Sequence, residues 1–185
     1  MRIFQFADYF NEVTGNPIQI YANELRKRGH DVTVLSSNKV PGNILFNDSK
    51  SKLKIIRFIG ARFFAKCFFP GVIPYLILNL KKDDILHAHV FGFYSTFIAG
   101  YMKFFKKFKL VITADFDPLG KKQNIFLRAF NYFFFEIPAK KADLILVFTM
   151  LEKKALAKNF GINEKKIKVL PIGVFTSDYK KPFNT

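Results

Sequence analysis

The chain has 185 residues, 50% of them hydrophobic and 17% aromatic, which is enough apolar material for the core of one domain and too much for a disordered chain. Its 30 Lys and Arg against 14 Asp and Glu leave a net charge of +16, and its single cysteine, Cys67, excludes an internal disulfide and fits a reducing, cytoplasmic setting. The uncharged stretch 67–80 is broken by Pro70, Gly71, Pro74 and Asn79 and is shorter than the roughly 18 residues of a spanning helix, and the N-terminus lacks the apolar run of a signal peptide.

In chain order, Arg2 to Phe6 reads as a first strand. Asn16 and Pro17 then supply an N-cap and a first-turn residue. Ile18, Tyr21, Ala22 and Leu25 recur at helical spacing, and Gly29 ends that helix after Arg26, Lys27 and Arg28. A strand at Asp31 to Leu35 completes a strand-helix-strand crossover of the kind parallel strands require. A third strand is expected at Leu53 to Phe58, a helical stripe at Ile73, Leu76, Ile77 and Leu80, and a buried strand at Ile85 to Ala88. Phe93, Phe97, Tyr101, Phe104 and Phe108 suggest a helix, and Lys109 to Thr113 a strand. A wide apolar stripe runs from Phe126 through Phe130, Phe133 and Phe134 to Ile137. Asp143 to Phe148 is a strand apolar on both faces. Thr149 with Glu152 is a capping box opening a helix to about Phe160, and Lys166 to Leu170 is a last strand. Regular alternation indicates a doubly wound α/β domain with a mostly parallel, Rossmann-like sheet over 1–175, followed by a polar tail or linker at 176–185.

In such a sheet ligands bind beyond the carboxyl ends of the strands. After the first strand, Gly15 and the following helix offer a weak anion site, with a plain start of a helix as the alternative. No G-x-G-x-x-G, P-loop, nucleophile elbow or Cys-x-x-Cys occurs. His87 and His89 alternate along a strand and share a face, but no third ligand lies near them in sequence, so metal binding is not expected. His89 is either a hydrogen-bonded structural residue or a donor to a sugar hydroxyl. Asp115 and Asp117 follow the next strand as a general base, as hydroxyl binders or as parts of an Asx turn.

Only six of the 30 basic residues are Arg, which disfavours base-edge reading of nucleic acid. Plain solvation comes first, an anionic membrane surface second and nucleic acid last. Two stretches combine Lys or Arg with Phe in the manner of interfacial helices. The first carries Arg62, Phe63, Phe64, Lys66 and Phe68; the second carries Lys103, Phe104, Phe105, Lys106, Lys107 and Phe108. For the second stretch the expected arrangement is Phe toward the sheet and Lys toward water.

Taken in order, RKRGHDVTVLSS, DDILHAHVFGFYSTF, LVITADFDPLG, KKADLILVFTMLEKKAL and GINEKKIKVLPIGV resemble the N-terminal domain of GT-B glycosyltransferases of family four. Each motif alone is weak, while their order and spacing over nearly the whole chain are specific. The resemblance implies a Rossmann-like acceptor domain in an enzyme that transfers a sugar from a nucleotide-sugar donor, usually with retention and without bound metal or other cofactor. The donor nucleotide then sits chiefly on a second domain, here a separate or missing partner.

The resemblance carries over residue by residue. His89 falls on a His of the family's DIVHAH motif, and Asp115 matches the His of its TPHFDP-like segment with the charge reversed; both would line the cleft as catalytic groups. Gly15 and Asn16 stand where the family has Gly-Gly near the donor phosphates. Phe91 and Asp117 would contact acceptor, and Phe175 replaces an Asp. The alternative function is a non-catalytic basic module docking on an anionic membrane or a partner protein. A lipid-linked acceptor would likewise bring the domain to the inner face of the membrane as a peripheral protein.

Overall fold

Apolar runs on both sides of an amphipathic segment produce the first crossover, β1 (Arg2–Phe6), α1 (Pro17–Lys27) and β2 (Asp31–Ser37). The computed structural model describes residues 1–11, 17–39, 52–63, 66–115 and 132–171, with Phe63 and Lys66 as backbone only. α1 ends at Gly29, whose φ of 84° no β-branched residue would adopt readily. Beyond it come β3 (Lys54–Phe58), a hairpin of β4 (Ala61–Phe63) and β5 (Lys66–Phe68), α2 (Val72–Asn79), β6 (Ile85–His89), α3 (Tyr94–Met102) and β7 (Lys109–Thr113). A π-helical turn, Tyr132–Glu136, leads into α4 (Ile137–Lys141). β8 (Leu144–Val147), α5 (Met150–Phe160), a 3-10 turn and β9 (Ile167–Val169) complete the order.

Seven parallel strands form one sheet in the order β3-β2-β1-β6-β7-β8-β9. The chain winds outward from β1 to β3 and then restarts at β6 on the other side of β1. The switch point, where neighbouring connections leave in opposite directions and open a crevice, therefore lies between the carboxyl ends of β1 and β6. This doubly wound sheet is the expected fold class.

Strand alternation divides the core in two. Phe4, Phe6, Leu35, Leu86, Ala88, Leu110 and Ile112 point to the α2–α3 side and pack with Leu76, Ile98, Met102, Ala139 and Leu156. Ile3, Ala7, Val32 and Val34 point the other way, against Ile18 and Ala22 of α1. Thr149 caps α5 as expected: its hydroxyl accepts from Glu152 N–H, and the buried Glu152 carboxylate accepts from Thr149 N–H at 2.7 Å. Arg2 and Asp84 pair at the opposite, amino edge of the sheet, with Nε to Oδ1 at 3.0 Å.

Two local expectations are corrected, and a third falls partly outside the described residues. The first Phe-rich stretch is the antiparallel hairpin β4–β5, with Cys67 and Phe69 buried and Arg62 and Phe68 exposed, because alternation of period two rather than helical spacing matches its buried residues. α3 ends at Met102, so Phe104 and Phe105 face solvent, while Phe108 is buried ahead of β7. The Phe126 stripe is described only from Tyr132 onward; Phe126, Ala129 and Phe130 lie outside the described residues, as does the tail 176–185. Among the described residues no helix is long and apolar enough to cross a membrane.

One carboxylate knots the carboxyl edge together. Asp8, two residues past β1 and 1% exposed, accepts from Ser95 N–H at 2.7 Å, Tyr94 N–H at 3.2 Å and Cys67 N–H at 3.2 Å. It thus neutralises orphan donors in the first turn of α3 and anchors the hairpin to the sheet. Burial pushes the Asp8 carboxyl up, and the N–H groups of Ser95, Cys67 and Tyr94 pull it back. Asp8→Ala strands three N–H groups and is expected to cost about 3 kcal/mol in urea unfolding, whereas Asp8→Asn, which keeps one acceptor oxygen, costs about half of that.

Candidate active site

Along β6 the side chains of His87 and His89 point to the α1 side, because Leu86 and Ala88 take the opposite core. The two rings lie 4.2 Å apart, with Tyr21 of α1 centred 5.8 Å from His87 and 6.2 Å from His89. His89 Nε2 donates to Gln5 Oε1 at 2.6 Å, across the β1–β6 pair where the crevice opens. His87 Nε2 shares a 2.7 Å hydrogen bond with Thr113 Oγ1 on β7. Gln5, His87, His89 and Thr113 are all buried, and with Ser36 they make a polar row across an otherwise apolar layer. Gln5 Nε2 and Ser36 Oγ in that row have no hydrogen-bond partner among the described residues. Buried polar atoms are normally paired, so this row is where a ligand is sought first.

Burial lowers the His87 pKa to about 3, and burial with His87 alongside holds His89 well below the ordinary imidazole range. Both rings are therefore neutral at pH 7. A neutral imidazole supplies one donor and one acceptor, suited to hydroxyl groups rather than to pairing with phosphate charge. Among the described residues no three His, Cys, Asp or Glu side chains converge as metal ligands would.

After His89 the chain turns sharply. Val90 takes φ 65°, a left-handed conformation that a β-branched residue holds only when its surroundings impose it. Val90 N–H donates to Thr113 O at 3.1 Å, and Ser95 Oγ and Thr96 Oγ1 donate to His89 O and Val90 O. Gly92, with φ 81°, lies so close to Phe135 that an added Cβ would sit 2.0 Å from its ring. The turn is thus gripped from three elements beside the crevice.

The candidate residues are distributed around this edge. His89 ends β6 at 2% exposed, and Asp115 lies exposed just beyond the end of neighbouring β7, two residues after the Thr113 that pairs with His89. Phe91 is buried, edge-on to Phe135 at 5.4 Å and Phe160 at 5.7 Å. On the hairpin, Arg62 is exposed and Phe68 packs against Tyr94 at 5.0 Å. Gly15, Asn16, Phe64 and Asp117 lie outside the described residues, and of Phe63 and Lys66 only the backbone is described. Sequence reasoning passed over Gln5, Tyr21, Thr113 and above all Asp8. A polar residue two places beyond the first strand was the available signal.

Folding keeps both imidazoles neutral, while an unfolded chain takes up protons below its ordinary pKa near 6.5. Their contribution to stability is complete above that pH and is lost as pH falls below it, at about 1.4 kcal/mol per pH unit for each ring, down to about 3 for His87. His87→Gln should remove half of that slope between roughly pH 6 and 5, above the carboxylate range, as read from urea midpoints against pH. An unchanged slope would mean that His87 is protonated in the folded chain.

The family model described as Glycosyltransferase Family 4 matches residues 18–178. No curated protein matches the chain. Among solved structures it is similar to a sucrose-phosphate synthase chain from Thermosynechococcus elongatus, with a TM-score of 0.59 and 12% identity over 94% of this chain and 90% of that one. It is also similar to a glycosyltransferase from Rickettsia africae ESF-5, with a TM-score of 0.60 and 20% identity over 100% of this chain and 46% of that one. At those identities the likeness is one of fold, and this chain spans about half the length of the Rickettsia protein. The extent of the family match, together with a parallel seven-stranded sheet of the same fold as these transferases, identifies the chain as a member of glycosyltransferase family 4.

Proposed function

We propose that the domain is the acceptor-side half of a retaining glycosyltransferase that moves a sugar from a nucleotide-sugar donor and is inactive alone. The observation that carries this reading is the buried polar row Gln5–His87–His89–Thr113 at the switch-point crevice of a family 4 fold. The completing partner is a donor-binding domain, and the coverage of the Rickettsia transferase leaves room for one.

The residues divide the work by their chemistry. His89 donates to Gln5 Oε1 and so fixes the orientation of the amide, whose Nε2 remains as a donor for a sugar hydroxyl. His87, held by Thr113, sets the ring of His89 from behind. Asp115, exposed beside them, is the carboxylate for an acceptor hydroxyl. Gly15 and Asn16 ahead of α1 are assigned to the donor phosphates, and Phe91 and Asp117 to the acceptor side, on the family resemblance. The reaction requires no cofactor beyond the donor itself, and the cytoplasm, where nucleotide sugars are made, is the setting.

The test mixes the full chain with a family 4 donor-binding domain and nucleotide sugars and follows release of the nucleotide. The chain alone should release none above background, and the mixture should turn over. His89→Ala should lower turnover at least about tenfold, the cost of losing one well-placed polar contact, with circular dichroism unchanged. Unchanged turnover would remove His89 from the site, and no turnover with any donor domain would count against the transferase reading.

A further inference from the structure

The strongest feature outside the crevice lies at the opposite, amino edge of the sheet. There the last turn of α2 and the turn after α3 bring large apolar side chains into water. Leu78 and Phe105 are each 81% exposed, with Ile77 and Phe104 about half exposed beside them. The two segments are joined, because Lys106 Nζ donates to Ile77 O. Phe104 lies tilted beside Tyr101, ring centres 5.9 Å apart, and the Tyr101 hydroxyl donates to Phe133 O, so the exposed Phe133 extends the same face.

Cations rim this patch. Lys141 Nζ sits 4.1 Å over the Phe104 ring, Lys106 lies between the two segments, and Lys81, Lys82 and Lys107 are exposed in the loops that follow α2 and α3. Against them stand Asp83 and Glu136, the latter already paired with Lys140. Lys103 belongs to a different arrangement, bound to Asp143 and Phe108 O.

We infer that this face docks on an anionic lipid surface, Leu78, Phe104 and Phe105 entering the interface while Lys81, Lys106 and Lys107 meet the headgroups. Aromatic and leucine side chains flanked by lysine are the chemistry of interfacial binding, and the chain's net charge of +16 acts in the same sense. A donor-binding domain is the wrong occupant, since it must face the crevice at the other edge. A second copy is also disfavoured, because pairing this face with itself sets lysine against lysine. The inference does not rest on the transferase reading, and vesicle binding is measured without any sugar donor.

The test is co-flotation of the full chain with vesicles of equal parts phosphatidylglycerol and phosphatidylcholine, and with phosphatidylcholine alone. Binding should need phosphatidylglycerol and weaken with salt. Phe105→Ser with Leu78→Ser should weaken it at least about tenfold with charge unchanged. Lys106→Gln and Lys107→Gln should each weaken it about fivefold. Ile59→Ser, at an equally exposed position after β3, should change nothing. Because these side chains are exposed, thermal melts of the variants should match the parent, and Phe105→Ser alone gives the same direction with the smaller perturbation. Absence of binding by the parent, full binding by the double serine variant, an equal loss with Ile59→Ser, or a dimer that the serine variant abolishes would each overturn the inference.

Discussion

The carboxylate of Asp8 sits at the one point where the first strand, the β4–β5 hairpin and the first turn of α3 must meet. The donors it satisfies belong to segments 59 and 87 residues away, and they are backbone groups that burial would otherwise leave unpaired. This position also sets the crevice. Holding the start of α3 against β1 forces the chain to leave β6 through a single tight turn, which is why Val90 is left-handed and why position 92 has no room for a side chain. Strain at that turn is borne by the hydrogen bonds of Ser95 and Thr96, themselves positioned by the helix that Asp8 anchors.

On the α1 side of the sheet, the same construction tolerates a polar layer that most cores avoid. Two buried imidazoles are acceptable there because they are neutral and each is hydrogen-bonded to a neighbouring strand. Neutrality comes first from desolvation, with His87 adding to it at His89, so it follows from their place side by side under α1. The consequence is a buried layer of neutral hydrogen-bonding groups, with Asp115 exposed just past the end of β7.

The two edges of the sheet have different characters. The carboxyl edge gathers the buried polar groups and the sharp turn, while the amino edge carries exposed Leu and Phe ringed by Lys. Because the seven strands of the main sheet are parallel, each helix that precedes one of them ends at the amino edge, α2 and α3 on the same face. Parallel topology thus separates an edge of buried polar groups from an apolar edge rimmed by lysine.

Periodicity alone determined the alternating elements, the doubly wound class and the capping box of α5, since each depends on residues within one turn or one strand. The shared face of His87 and His89 was likewise readable, because alternation along a strand is local. What decided the site was non-local. Nothing near His89 in sequence announces Gln5, 84 residues away, nor that Asp8 would bind Ser95 N–H across 87 residues. The Phe-rich stretches show the same limit: composition could not say that 61–68 would fold back as a hairpin on Asp8. Nor could it say that Phe104 and Phe105, past the last turn of α3, would be left in water, because burial is settled by which neighbours arrive and the sequence names only the side chains available to meet them.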